Sequence, residues 1–274
     1  MTLRDAAPGA RTEAANRART APTPSYSRYV AIGDSWTEGV GDPDPTRPNG
    51  VRGWADRVAE ALAAERQDFG YANLAIRGRT VEEILDEQLA PALALKPDLL
   101  TIQGAGNDLL HVRVDIDALV GAIDAAVAQA NEIGSRVLLF THGTPAAGPF
   151  RALRGRIAIF NELIREVVDT RDALLVDNWR LREAEDQRYW DVDRIHPSPF
   201  GHQLAAVHVL NTLGIRHDDE PLVLPDVTGL TGRQRLLAEV EWTRIFAGPW
   251  VYRRLTGRSL GDGITAKRPV LAPV

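Results

Sequence analysis

The sequence contains no cysteine among its 274 residues. That absence excludes a disulfide-stabilised scaffold, a thiol nucleophile and thiolate metal sites. Long apolar runs are also missing, whereas a membrane-spanning helix needs about 20 apolar residues. Residues 1–26 lack the apolar stretch of roughly 7–15 residues that a secretory signal requires. We therefore expect a disordered arm over residues 1–26 and a cytoplasmic location.

Acidic residues outnumber basic ones by 37 to 32, and lysine occurs only at Lys96 and Lys267. The net charge of −5 argues against a nucleic-acid partner. The segment Thr231–Val274 is the exception, with eight basic residues against three acidic ones. This basic tail needs an explanation separate from the rest of the chain.

Short apolar runs alternate with segments whose apolar residues are spaced three and four apart. The predicted strands are Tyr29–Ile32, Ala72–Ile76, Asp98–Gln103, Arg136–Thr141 and Ala173–Asp177. The predicted helices are Trp54–Arg66, Val81–Leu95, Asp115–Ile133, Phe150–Asp169 and Pro199–Leu213. This alternation predicts a five-stranded parallel sheet with helices on both faces. We place one domain at residues 27–217 and a helical, basic, aromatic-rich extension at residues 218–274.

Several polar or small residues come directly after the predicted strands, where open α/β sheets bind their ligands. They are Ser35, Gly78, Asn107 and His142, with Asp193 and His196 following the last strand across a connecting segment. Their placement predicts one site at the carboxyl edge of the sheet.

Ser35, His196 and Asp193 are the residue types of a nucleophilic hydrolase, in which a histidine takes the serine proton and a carboxylate orients the histidine. Spacing of three residues places Asp193 and His196 on one face of a helical turn. Alternatives remain open at this level. Ser35 is equally a residue that caps a helix, the Asp-His pair is equally a surface pair, and Asp191 is a rival carboxylate.

Asn107 and Gly78 are the candidate donors to a developing oxyanion. An asparagine amide can donate a hydrogen bond to such an oxygen, and a glycine backbone N–H can do the same. The alternative for Asn107 is a simple Asx turn. The alternative for Gly78 is a left-handed turn that merely joins a strand to a helix.

These motifs together resemble those of the SGNH (GDSL-type) hydrolases over most of residues 28–213. The matching pieces, in order, are Gly33-Asp34-Ser35, Gly78, Asn107-Asp108 and Asp193-x-x-His196. The resemblance implies a flavodoxin-like, three-layer α/β/α domain. It also implies ester hydrolysis without a cofactor.

The resemblance assigns a role to each matching residue. Ser35 is the implied nucleophile, His196 the base and Asp193 its orienter. The implied oxyanion donors are the backbone N–H groups of Ser35 and Gly78 and the side chain of Asn107. Two positions depart from the family pattern: Trp36 stands where leucine is common, and Ala105 stands where glycine is common.

Asp34, Trp36 and His142 are candidate substrate-binding residues, although Trp36 is equally suited to packing. No histidine has a partner at metal-ligand spacing, so we expect no metal. Arg52, Arg77 and Arg79 lie near the expected site and suit an anionic substrate group, but solvated arginines are the commoner case.

The sequence thus predicts a serine esterase or acylhydrolase acting on a small-molecule ester, including acetyl esters. The alternative is a non-catalytic module that binds an acylated glycan or a protein. For the tail, packing back on the domain is the favoured interpretation, and the others are oligomerisation and contact with an anionic membrane. Acetylated sugars, short acyl esters, lysophospholipids and thioesters all suit the expected chemistry.

Overall fold

The computed structural model describes residues 25–111, 113–143, 149–217, 223–226, 231–249, 252, 256 and 259–274. The strands of its sheet are β1 (Arg28–Gly33), β2 (Gly70–Asn73), β3 (Leu99–Gln103), β4 (Arg136–Phe140), β5 (Leu174–Val176) and β6 (Arg268–Ala272). They lie in the order β5-β4-β3-β1-β2-β6. The neighbours from β5 to β2 are all parallel. Each of the five predicted strands is present within a few residues of its expected bounds.

Helices cover the five predicted helical segments, and two four-residue helices that were not predicted follow β1 and β3. They are α1 (Ser35–Glu38), α2 (Trp54–Glu65), α3 (Val81–Ile84), α4 (Ala90–Ala94), α5 (Gly106–Leu109), α6 (Ile116–Glu132), α7 (Arg154–Arg171) and α8 (Pro199–Leu213). A π-helical turn, Leu85–Leu89, connects α3 to α4 within the segment predicted as one helix. Short 3-10 turns occupy much of the stretch between β5 and α8. None of the helices in the described ranges is both long and apolar enough to cross a membrane.

Two separate apolar cores cover the two faces of the sheet, which gives the predicted three layers. On one face, Val30 and Ile32 of β1 pack with residues of α3, α6 and α7. On the other face, Tyr29 and Ala31 pack with residues of α2 and α8. Alternate residues of β1 thus enter opposite cores, as the twofold period of a strand requires.

The sheet has six strands rather than the five predicted. β6 comes from the C-terminal extension and pairs antiparallel with β2, with an irregularity in register between Tyr71 and Asn73. Its side chains are mostly partly or fully exposed, so it lacks the apolar run by which the buried central strands were found. Part of the tail therefore packs back on the domain as an edge strand.

The order of the strands determines where the site lies. After β1 the chain forms β2 on one side, and it then returns to form β3 on the other side of β1. In open α/β sheets a crevice forms at such a reversal, outside the carboxyl ends of the two strands. The segments that follow β1 and β3 carry Ser35 and Asn107, respectively.

Candidate active site

Ser35 lies on a tight turn between β1 and α1. Gly33 takes a φ of 156°, and a Cβ at this position would lie 2.2 Å from the backbone oxygen of Gln103. Only glycine fits there. The residue that caps α1 is Asp34, whose side chain accepts a hydrogen bond from the backbone N–H of Trp36 at 3.1 Å. Capping by Asp34 leaves the hydroxyl of Ser35 available for another partner.

A chain of hydrogen bonds connects Ser35 to Asp193 through His196. The Oγ of Ser35 lies 2.8 Å from Nε2 of His196, and Nδ1 of His196 lies 2.5 Å from Oδ2 of Asp193. The other carboxylate oxygen accepts the backbone N–H groups of Ile195 and His196, each at 2.9 Å. The carboxylate that contacts the imidazole therefore belongs to Asp193. Asp191 contacts His196 through its backbone N–H.

The environment of Asp193 keeps its carboxyl group ionised. Burial raises the pKa of Asp193, but the side chain of His196 and the backbone N–H groups of Ile195 and His196 outweigh burial, so the pKa lies below its ordinary value. An ionised Asp193 accepts a hydrogen bond from Nδ1–H of His196. Nε2 is then left to accept the proton of the Ser35 hydroxyl.

Gly78 and Asn107 lie on turns that follow β2 and β3. Gly78 takes the left-handed φ of 81°, so the turn anticipated as its alternative interpretation is present. Asn107 donates a hydrogen bond from Nδ2 to the backbone oxygen of Arg79 at 3.0 Å. This bond connects the two turns and uses one of the two amide hydrogens. Among the described residues the other amide hydrogen has no protein partner.

Ala105 is one of the departures from the family pattern, and the structure gives it a physical consequence. It takes the left-handed φ of 79° that glycine adopts freely, and it precedes α5 as its N-cap residue. The side chain is fully buried. A left-handed alanine costs roughly 1–2 kcal/mol, so the turn that carries Asn107 is held in place by its surroundings.

His142 supports the turn that carries Asn107. Its Nε2 lies 2.8 Å from the backbone oxygen of Gly104. Its backbone N–H and C=O bond to the side-chain amide of Asn161. Burial lowers the pKa of His142, which favours the neutral ring with Nε2–H as the donor. Its Nε2 is thus engaged by the scaffold.

Trp36 contacts the turn that carries Asp193 and His196. The indole N–H of Trp36 donates to the backbone oxygen of Ile195 at 3.2 Å, and its ring packs edge-on against Trp190. These contacts hold the Asp193–His196 turn beside α1.

Burial raises the pKa of Asp34 to about 7, so this carboxyl is close to half protonated near neutral pH.

The three arginines near the site each pair with a carboxylate of the protein. Arg77 binds the fully buried side chain of Glu38 through two of its nitrogens, and Arg52 binds Glu60. Arg79 pairs with Glu83 and Glu87. These pairings argue against recognition of an anionic substrate group by these arginines.

Sequence reasoning missed Gln88, which fixes the backbone at Gly33. The Oε1 of Gln88 accepts the N–H of Gly33 at 2.8 Å, and Nε2 donates to its C=O at 3.0 Å. Gln88 is buried and lies in the π-helical turn. Its only signal in the sequence is a polar residue among apolar ones, which does not name a partner 55 residues away.

Metal ligands do not cluster in the part of the chain that the structure describes. No group of three or more histidine, cysteine, aspartate or glutamate side chains is arranged to hold an ion there. The chemistry that the described site supports is proton transfer from a hydroxyl to an imidazole, assisted by nearby N–H donors.

Comparison with known proteins identifies the family. Residues 31–204 match the model of the GDSL-like lipase/acylhydrolase family, and the chain belongs to that family. Its sheet flanked by helices and its ordered motifs are those of this class of hydrolase.

Individual relatives are distant in sequence. The spore germination lipase LipC of Bacillus licheniformis is 24% identical over 194 residues, covering 64% of this chain and 91% of the relative. The structure of an acetylxylan esterase from Geobacillus stearothermophilus is 20% identical and covers 71% of this chain and 97% of its own, with a TM-score of 0.57. A hydrolase from the metagenome of Lake Arreo is 24% identical, covering 71% of this chain and 98% of its own at a TM-score of 0.58. These structures show the fold that the chain shares.

Proposed function

We propose that this protein is a serine esterase that cleaves small carboxylic esters through an acyl-enzyme. The observation that carries the proposal is the continuous chain of hydrogen bonds from Ser35 through His196 to Asp193. The first residue of this chain of bonds, Ser35, lies just after β1, at the carboxyl ends of the parallel strands. Membership of an acylhydrolase family supports the same class of reaction.

In the first step, Oγ of Ser35 attacks the ester carbonyl carbon while Nε2 of His196 takes the hydroxyl proton. The resulting imidazolium is stabilised by the adjacent carboxylate of Asp193. The same proton then passes to the leaving alcohol as the carbon–oxygen bond of the ester breaks. A water molecule, deprotonated by His196, subsequently attacks the acyl carbon. The bond from this carbon to Oγ of Ser35 then breaks, Oγ takes the proton back from His196, and the carboxylic acid leaves.

The charge that develops on the carbonyl oxygen needs donors already in place. We assign that role to the backbone N–H groups of Ser35 and Gly78 and to the second amide hydrogen of Asn107. The bond between Asn107 and Arg79 fixes the amide before substrate arrives, which is how preorganised donors lower a barrier. Loss of the Asn107 donor should lower kcat by about 10²–10³-fold.

The substrate class that we propose is a neutral carboxylic ester, including acetyl esters. The similar proteins of known name include a lipase and an acetylxylan esterase, so their names alone leave the acyl length open. The pairing of Arg52, Arg77 and Arg79 with carboxylates of the protein favours a neutral substrate over an anionic one.

The experiment is hydrolysis of p-nitrophenyl esters from acetyl to long acyl chains by the parent protein and by Ser35→Ala. Ser135→Ala is the matched control, because Ser135 is also buried but precedes β4 at the opposite edge of the sheet. We expect activity in the parent and the control and its loss in Ser35→Ala. Equal activity in all three proteins would refute the nucleophile assignment, and the chain length with the highest activity would give the size of the acyl pocket.

A further inference from the structure

The C-terminal extension contacts the turn that carries Asp193 and His196. Helix α9 (Gly232–Trp242) places two of its side chains against this turn. The indole N–H of Trp242 donates to the backbone oxygen of Asp193 at 3.3 Å. The carboxylate of Glu239 accepts two hydrogen bonds from the guanidinium of Arg194, each at 2.8 Å. That guanidinium also lies over the ring of Trp242, 4.8 Å from its centre.

These contacts fall on the most constrained residue of the turn. Arg194 takes a φ of 62°, a left-handed conformation that is unfavourable for any residue except glycine. The left-handed residue reverses the chain so that Asp193 and His196 face each other. Surrounding contacts stabilise such a conformation, and α9 supplies two of them, at the backbone oxygen of Asp193 and at the guanidinium of Arg194.

The same extension continues to the turn that carries Gly78. The two segments approach each other so closely that only glycine fits at two positions. A Cβ at Gly78 would lie 2.4 Å from Oγ of Ser259, and a Cβ at Gly261 would lie 2.2 Å from the backbone oxygen of Arg77. Further along the chain, Lys267 is buried against Asp56, and β6 follows it directly. One stretch of chain therefore contacts the turns of both the base and the oxyanion donor.

We propose that Trp242 and Glu239 are positioning residues, which act through the turn at Arg194 to hold Asp193 in line with His196. This inference rests on the proposed triad and adds the extension to the catalytic apparatus. Trp242 carries the larger share, since its N–H reaches Asp193 itself. The ion pair between Glu239 and Arg194 is about half exposed (56% and 45% of the side chains), where such pairs contribute little.

The test compares Trp242→Phe, Glu239→Gln and the control Glu241→Gln on the best ester found for the parent. Glu241 is exposed on the same helix. Losing one hydrogen bond predicts a decrease in kcat of about fivefold for Trp242→Phe, and at most about threefold for Glu239→Gln. KM should stay near the parent value, because neither residue is assigned to substrate binding. The melting temperature should fall by no more than about 2–4 °C, the decrease expected when one hydrogen bond is lost. Glu241→Gln should leave kcat unchanged.

A double-mutant cycle with Asp193→Asn separates positioning from a general structural role. If Trp242 acts through Asp193, adding Trp242→Phe to Asp193→Asn should lower kcat little further. Two independent decreases that multiply would overturn the proposal. If Asp193→Asn itself leaves kcat intact, the triad assignment fails; if only Trp242→Phe is without effect, the positioning inference alone fails.

A spectroscopic readout tests the same positioning without turnover. The proton between Nδ1 of His196 and Asp193 should give a far-downfield proton resonance, because the bond joins an ionised acceptor to an imidazole at short distance. Trp242→Phe should move or broaden this resonance, and Glu241→Gln should not. An unchanged resonance in Trp242→Phe would overturn the proposal even if kcat fell.

Discussion

Replacing Lys267 by methionine should destabilise the whole protein, although the residue lies in the C-terminal extension. Its side chain is 1% exposed and its ammonium group binds the carboxylate of Asp56, which is 4% exposed. The same group donates to the backbone oxygens of Glu38 and Val51. Lys267 thereby connects the start of β6 to α1 and α2.

The magnitude follows from the charge that the substitution leaves behind. Lys267→Met leaves the carboxylate of Asp56 buried and without its cation, and breaking a buried pair in this way costs about 3–5 kcal/mol. For a chain of this size about 2–4 °C is lost per kcal/mol. The expected decrease in melting temperature is therefore on the order of 10 °C.

Differential scanning calorimetry at neutral pH measures this decrease directly. Arg66→Met is the matched control, because it breaks a surface pair with Asp68, and such pairs contribute little to stability. Adding Asp56→Asn to Lys267→Met should recover part of the loss, since asparagine removes the charge and keeps an oxygen for the N–H of Gly53. A melting temperature of Lys267→Met equal to that of Arg66→Met would refute the reasoning.

Two further predictions concern groups buried around Ser35. Burial raises the pKa of Asp34 to about 7, whereas in the unfolded chain this carboxyl loses its proton near pH 4. Between these two pH values the folded protein holds a proton that the unfolded chain has lost. The free energy of unfolding should therefore fall by roughly 4 kcal/mol as pH rises from about 4 to about 7. Asp34→Asn, which keeps an acceptor for Trp36, should remove that part of the decline in urea unfolding between pH 4 and 8; parallel curves for variant and parent would contradict the assignment. Gln88→Leu removes both bonds to Gly33 and should cost about 2–4 kcal/mol in urea unfolding. It should also lower kcat, whereas the exposed control Gln129→Leu should change neither quantity, and equal stability of the two variants would exclude a role for Gln88.

Local sequence patterns were sufficient to predict the layers of the fold and to predict where the candidate site lies on it. The apolar runs at Tyr29–Ile32 and Asp98–Gln103 are short and bounded by glycines or polar residues, so they identify buried strands whose ends coincide with the motifs. Ser35 and Asn107 could be placed at one edge because parallel strands bring their carboxyl ends together. The pairing of Asp193 with His196 could be anticipated from their spacing in one turn.

Contacts between distant segments could not be anticipated in this way. Lys267 and Asp56 are separated by 211 residues, and neither neighbourhood in the sequence indicates a buried partner. Similarly, β6 was not predicted because an edge strand with exposed side chains lacks the apolar signal of a central strand. The choice between Asp191 and Asp193 also needed coordinates, since both carboxylates lie within reach of His196 along the chain.

If Ser35 is a nucleophile activated by His196, it should react with a fluorophosphonate ester. Peptide mass spectrometry of the labelled parent protein and of labelled His196→Ala locates the modified residue and gives the rate. We expect one phosphonyl group per chain, attached to Ser35, and labelling that is slowed by orders of magnitude in His196→Ala. Labelling at another residue, or labelling of Ser35 at the same rate without His196, would contradict it.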